Sequence, residues 1–321
     1  MRKNQELMMK LAIETKQLTK QYLAGKKGSP AIKDVNLVVP AGTLFGLVGP
    51  DGAGKTTTLR LLATILQPTA GNAKVVGYDT VREAEKVRKQ IGYMAQFYGL
   101  YPDLTVKENL EFFAELKGVK PQEKKKRIKD LMSFARLTPF INRRSMNLSG
   151  GMQKKLALSC ALIHEPDLLI LDEPTTGVDP ISRRELWHLL TEVINQGKTI
   201  LLSTPYMDET ERCDLVGILY KGEILTVGNP KDLIANLPFE ILEIEAKPRK
   251  ILRSTIIENA DVISWRAVGD RLRISVKSAQ KSKPGMTKAL TKNGAEILNI
   301  MQVKKNMEDV YIFLVEHNRG N

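Results

Sequence analysis

The sequence predicts an α/β fold in two domains, and three observations predict it. A short apolar run, Leu44 to Val48, leads into the glycine-rich stretch GPDGAGKTT and then into a helix with Leu59, Leu62 and Ile65 or Leu66 on one face. Two further apolar runs, LLILDEP and TILLST, alternate with amphipathic helices, as buried parallel strands do. Past Phe239 the chain starts afresh in the order β-α-β-β-α-β, the ferredoxin-like arrangement. The expected architecture is a phosphate-loop core with an antiparallel β subdomain and a helical insert (residues 11–235), followed by a small α+β domain (residues 239–321).

Composition narrows the function classes. The chain has 321 residues and 42% hydrophobic content, ordinary for a globular protein with a sizeable core. No apolar run approaches the roughly 20 residues that a membrane-spanning helix needs. The N-terminal MRKNQELMMKLAIETK has neither an unbroken apolar segment nor a small-residue cleavage site, so no secretory signal is expected. Cys160 and Cys213 sit in apolar or helical contexts and read as buried free thiols of a reducing compartment, which implies a cytosolic location. The net charge of +13 is compatible with nucleic acid, an anionic membrane surface or a nucleotide. The dense basic run KKKRIK, from Lys124 to Lys129, has no interleaved aromatic residues and reads as a solvated helix face, so nucleic acid is not the expected partner.

Taken in order, LAIETKQLTKQY, AIKDVNLVVP and LFGLVG are strands separated by Gly, Pro and Lys turns. Tyr22, in the first turn region, is either a ring that stacks on adenine or a surface aromatic. Pro68 and Gly71 close the helix after the glycine loop; KVVGYD reads as a strand, VREAEKVRKQ as a charged helix, and IGYMAQ as a strand ending at Gln96. Residues 97–162 are mostly helical, with Val106, Leu110, Phe113 and Leu116 on one face, a second helix from Gln122 to Leu137, and a third opening at LSGGM. After the strand LLILDEP, a helix runs from Pro180 to Gln196, with Pro180 in its first turn and Gly197 at its end. TILLST is followed by the helix YMDETERCD, and LVGILYKGEILTVG is a hairpin turning at Lys221–Gly222.

The chemistry concentrates in two stretches. Gly49, Pro50, Asp51, Gly52, Ala53, Gly54, Lys55, Thr56 and Thr57 satisfy G-x-x-x-x-G-K-[ST] in the strand–loop–helix setting of a P-loop NTPase core. Glycines let backbone amides curl around phosphate, and the helix N-terminus adds positive potential. Lys55 is expected on β- and γ-phosphates and the Thr56 hydroxyl on Mg2+. Asp172 and Glu173, at the end of a buried strand, are the expected complement: Asp172 for Mg2+, Glu173 to polarise an attacking water.

A second Ser/Gly-rich helix start, Ser149-Gly150-Gly151 within LSGGM, is suited to another phosphate contact. With it, residues 11–235 resemble the nucleotide-binding subunit of an ATP-binding cassette (ABC) transporter. GPDGAGKTT resembles the Walker A loop, Gln96 the Q-loop glutamine, LSGGM the signature, LLILDEP the Walker B strand with Glu173 as base, and TTGVDP with Asp179 the D-loop. Tyr22 falls where the family has its adenine-stacking aromatic. The C-terminal domain and the run MEDVYIFLV resemble the tails of the ABC-2 type branch, which implies export.

The resemblance implies a head-to-tail dimer, of like or unlike cassettes. ATP with Mg2+ would lie between Lys55 of one copy and Ser149 and Gly151 of the other, with Gln96 sensing nucleotide and metal. A separate transmembrane permease subunit would be driven through Phe97–Thr105, and the chain would sit at the inner face of the membrane through it. Two residues depart from the family pattern. Met152 replaces the glutamine after the signature glycines, and Pro205 stands where the switch histidine belongs. Proline has neither a side-chain donor nor a backbone N–H, so slow hydrolysis is expected. Locally, Thr204 suits a helix cap, Pro205 a first helical residue, and Asp208 and Glu209 a first turn. Two other readings are a non-transport ABC ATPase acting on ribosomes or nucleic acid, and a degenerate cassette that binds ATP without efficient turnover.

Overall fold

Residues 10–22, 30–97 and 99–319 are described by the structure, a computed structural model. Residues 1–9, read as lacking a secretory signal, and residues 23–29 lie outside them. The chain divides into two units, residues 1–230 and 231–321, so residues 231–235, expected with the first domain, group with the second.

In the first unit β1 (Leu11–Lys20) and β2 (Ile32–Pro40) pair antiparallel, with buried residues on the core face. β3 (Leu44–Val48) is buried at every position, as a central parallel strand is, and runs into the glycine loop. α1 (Lys55–Leu62) is shorter than its apolar pattern suggests. Thr64 takes a left-handed conformation (φ 60°), which ends the helix; Ile65 turns outward and Leu66 packs on the core. KVVGYD is not one strand: Val76 and Gly77, both at positive φ, make a tight turn between β4 (Ala70–Val75) and β5 (Tyr78–Asp79). These strands complete an antiparallel sheet of order β2-β1-β4-β5.

After α2 (Ala84–Gln90), β6 (Ile91–Met94) stops short of Gln96, which lies in the following loop. The helical insert comprises α3 (Val106–Leu116), α4 (Pro121–Phe134) and α5 (Gly150–Leu162), packed around Leu110, Met132, Leu137 and Leu156. Its helix starts are written in the sequence. Thr105 and Glu108 form a capping box, Pro121 opens α4, and the Ser149 hydroxyl accepts the Met152 N–H. On α4 Lys125, Lys126 and Lys129 are exposed while Ile128 is buried.

β7 (Leu168–Asp172), α6 (Pro180–Asn195) and β8 (Thr199–Thr204) follow, both strands buried throughout. α7 (Met207–Thr210) has only four residues. Thr204 stays in β8 and Pro205 lies in a bend, so the expected helix start at Pro205 is displaced to Met207. β9 (Leu215–Tyr220) and β10 (Glu223–Gly228) form the hairpin at Lys221–Gly222. The second sheet has the order β10-β9-β3-β8-β7-β6, parallel except for β10. The carboxyl ends of β3, β8, β7 and β6 are therefore neighbours, and ligands of open α/β sheets bind beyond such ends.

α8 (Pro230–Ala235) spans the division between units. The second unit then contains β11 (Glu240–Lys247), α9 (Arg249–Ile257), β12 (Val262–Val268), β13 (Arg271–Val276), α10 (Ala279–Lys292), β14 (Glu296–Val303) and α11 (Met307–Arg319). Its antiparallel sheet, of order β12-β13-β11-β14, encloses Leu242, Ile244, Leu252, Ile256, Ile274 and Leu290 with α9 and α10. Buried Arg273 joins Glu243 of β11 (2.9 Å) to Asp309 of α11 (2.7 Å).

Candidate active site

The glycine loop has no room for side chains where it bends. A Cβ on Gly49 would lie 2.2 Å from the Leu219 carbonyl oxygen, and one on Gly54, at φ 108°, would lie 2.5 Å from Ile32. From behind, the Gly222 N–H donates to the Ala53 carbonyl at 3.0 Å, and the Gly222 carbonyl accepts the Lys33 N–H at 2.8 Å. Lys55 is buried, and its ammonium donates to the carbonyls of Gly49 (2.8 Å) and Pro50 (3.1 Å). Pro50, Asp51 and Gly52 form the exposed rim. Tyr22 is half-exposed at that side, its hydroxyl 3.4 Å from Thr57 Oγ1.

Strand register delivers the carboxylates. Asp172 pairs with Ser203 across β7 and β8, and Val48 with Thr204 across β3 and β8. Asp172 is fully buried, and its Oδ1 accepts from Thr56 Oγ1 (3.1 Å) and Ser203 Oγ (2.7 Å). Its Oδ2 is buried with no hydrogen-bond partner among the described residues. An orphaned carboxylate oxygen beside a threonine hydroxyl fits a hard divalent cation. Among the described residues no group of three His, Cys, Asp or Glu could hold a metal, so such a cation would draw further oxygens from its ligand.

Glu173 takes the left-handed conformation (φ 47°) that side chains other than glycine avoid. Its N–H donates to Ser203 Oγ at 3.0 Å, and its carbonyl accepts the Lys154 ammonium at 3.1 Å. Its carboxylate accepts from Gln96 Nε2 at 3.0 Å and lies 3.6 Å from Lys55 Nζ. Burial pulls the Lys154 pKa below the ordinary lysine value, with Glu173 and Asp172 opposing that shift. The geometry thus gathers Lys55, Thr56, Gln96, Asp172 and Glu173 into one cluster, in which two carboxylates face the ammonium of Lys55, with that of Lys154 behind Glu173.

Ser149, Gly150, Gly151 and Asp179 serve helix starts instead. A Cβ on Gly151 would lie 2.2 Å from Ser182 Oγ, so the start of α5 packs directly on that of α6. Asp179 caps α6 by accepting the N–H groups of Ile181 and Ser182 at 3.0 Å, and bonding to Ser182 lowers its pKa. Met152 packs its side chain against the core of the helical insert.

Sequence reasoning missed four residues that shape this region. Lys154 and Ser203 hold the Glu173 backbone. Asn109, fully buried, accepts the Tyr101 N–H and donates to the carbonyls of Tyr101, Leu104 and Thr105, which fixes residues 101–105. Glu209 turns inward from α7 to accept from Thr175 (2.9 Å), Thr204 (2.7 Å) and Trp187 (3.4 Å), and pairs with Arg183 (3.3 Å). The only available signal for Glu209 was an acid in a first helical turn, which ordinarily faces solvent.

Comparison with known proteins agrees with this geometry. Residues 32–176 match the ABC transporter family. The probable multidrug ABC transporter ATP-binding protein YbhF of Escherichia coli (strain K12) is 39% identical over 289 residues, 89% of this chain and 49% of that protein. The chain thus spans about half the length of that relative. The Nod factor export ATP-binding protein I of Rhizobium etli is 36% identical, covering 98% of this chain and 96% of its own. A solved ATP binding subunit of an ABC transporter matches with a TM-score of 0.63 and 32% identity, over 70% of this chain and 92% of its own. A dimeric ATP-binding cassette in a post-hydrolysis state, bound to ADP and Pi, also matches with a TM-score of 0.63, at 29% identity over 68% of this chain and 98% of its own. With one relative aligned almost end to end, and solved cassettes that share its fold, the chain belongs to the family of ABC transporter ATP-binding proteins.

Proposed function

We propose that this chain is an ATP-hydrolysing subunit that powers a separate membrane-embedded permease in the direction of export. The observation that carries the reading is the meeting of the Glu173 carboxylate with the Gln96 amide (3.0 Å) and the Lys55 ammonium (3.6 Å) beside the glycine loop. The loop amides and Lys55 bind the β- and γ-phosphates. Thr56, Asp172 and Gln96 would hold Mg2+, which when bound neutralises charge on the phosphate oxygens. Glu173 orients a water in line with the γ-phosphorus and takes its proton as the bond to ADP breaks. Tyr22 stacks on the adenine. Ser149, Gly150, Gly151 and Asp179 complete the site of a second cassette, identical or not, so ATP joins the two and hydrolysis releases them.

Export is supported by the names of the relatives, which refer to multidrug transport and Nod factor export. Among the described residues no helix is long and apolar enough to cross a membrane, so the spanning element is assigned to the permease, which would hold this chain at the inner membrane face. The loop after Gln96 is the proposed contact. Phe97 is 82% exposed, and Tyr101, whose main chain Asn109 holds, is 46% exposed; Tyr98 lies outside the described residues. The second unit is proposed to regulate or dimerise.

Glu173→Gln is expected to abolish ATP turnover while leaving ATP-dependent dimerisation intact, read by light scattering during size exclusion. A variant that stays monomeric with ATP would sink the two-copy site. Pro205 is proposed to slow the isolated protein. Pro205→His is then expected to raise kcat at least ~3-fold, a modest share of what a γ-phosphate contact contributes. Equal turnover in the two proteins would make the proline irrelevant to rate.

A further inference from the structure

Lys154 buries its ammonium beside the cluster. The side chain is 2% exposed, projects from α5, and donates to the backbone carbonyls of both Gln96 (3.2 Å) and Glu173 (3.1 Å). The side chains of those same two residues meet at 3.0 Å. One buried cation therefore spans the main chains of two residues whose side chains face each other over the glycine loop. We propose that Lys154 is a positioning residue for hydrolysis: it holds Glu173 in its reactive conformation and ties that conformation to the helix that begins at Ser149.

Two physical arguments support this. Left-handed backbone at a residue with a side chain persists only where its surroundings over-determine it. At Glu173 the N–H is held by Ser203 and the carbonyl by Lys154, so one of two side-chain holds comes from α5. Mechanical continuity is the second argument. Ser149 caps α5, and Lys154 lies five residues further along it, roughly 7 Å at the helical rise. α5 is buried along Lys154 to Ala161, so it transmits a displacement of its start as a rigid body. A shift at Ser149 then reaches the carbonyls of Gln96 and Glu173 through a single side chain. A purely architectural role is a poor account of the same lysine. Methionine would fill the volume without the desolvation cost of an ammonium.

The inference rests on the assignment of Glu173 as the base, and the experiment separates the two. Full-length wild type, Glu173→Gln, Lys154→Met and Lys154→Gln are compared for kcat, for KM, for ATP affinity measured in the non-hydrolysing Glu173→Gln background, and for Tm. Lys154→Met is expected to lose ~30-fold in kcat with ATP affinity within ~2-fold and a cooperative melt that shows it folded, the pattern of misplaced catalytic geometry. Lys154→Gln, with one neutral donor group, is expected to fall between it and wild type. Wild-type kcat in folded Lys154→Met overturns the proposal, as does a loss of kcat/KM that lies entirely in affinity. If Lys154→Met does not fold, Lys154→Gln decides by the same criteria. Should Glu173→Gln itself turn over normally, the base assignment fails; a dead Glu173→Gln beside an active Lys154→Met sinks only the role of Lys154.

Discussion

His164 carries a cost that the fold accepts for position. Its Nε2 lies 2.9 Å from the Ile91 carbonyl, which selects the Nε2–H tautomer. Its Nδ1 is buried without a partner among the described residues. Burial, followed by the nearby Lys117 charge, pushes the imidazole pKa from 6.5 down to about 4. Between those values the unfolded chain binds more protons than the folded one, so stability rises with pH across the window. Lowering the pH from 6.5 towards 4 is therefore expected to shift the urea midpoint downward. In His164→Gln the slope over that window is expected to flatten. An unchanged slope in the variant would assign the pH dependence to other groups. The same reasoning separates the two thiols from redox chemistry: burial raises Cys160 far above the ordinary range and Cys213 to about 12.

At the scale of elements, one very short helix is held by a single carboxylate. α7 has four residues, too few to persist on its own. What fixes it is Glu209, whose carboxylate collects Thr175 beyond β7, Thr204 at the end of β8, and Trp187 and Arg183 on α6. Arg183 in turn covers the ring of Tyr206 at 4.2 Å, which closes the bend around Pro205. Glu209→Ala leaves two buried hydroxyls and an indole N–H without an acceptor. The expected loss is ~3–5 kcal/mol, the range for breaking a buried charged network from one side. Urea denaturation checks it, and a loss under ~1 kcal/mol would mean that the site collapses or takes in water. The bend at Pro205 thus needs no proline-capped helix, because a carboxylate four residues later supplies the structure that the sequence reading assigned to a cap.

Across the whole molecule, legibility followed the range of the information. GPDGAGKTT, LSGGM and LLILDEP are local patterns, and their backbone consequences are local: a loop with no room for Cβ atoms, a capped helix, a buried strand. Continuous apolar runs at β3, β7 and β8 marked a parallel sheet, and the fresh β-α-β-β-α-β order past Phe239 marked all but the start of the second unit. The order β3-β8-β7 was not legible, because it is set by crossovers and packing rather than by any run of residues. Lys154 and Glu209 were invisible for a related reason. A charge within a helical pattern reads as solvated, and only tertiary structure turns it inward. Asn109 hid likewise, one polar residue on an otherwise apolar helix face.

The hairpin tip at Lys221–Gly222 carries a different lesson. Its main-chain grip on Ala53 depends on where the turn ends, not on which side chains it bears. Substituting Ala53 leaves that bond in place, whereas one residue inserted into the two-residue turn would slide the Gly222 amide out of reach. The phosphate loop is thus sensitive to chain length at a point remote from it in sequence, and an alignment gap there would foretell a defect in nucleotide binding that no inspection of the glycine loop itself would disclose.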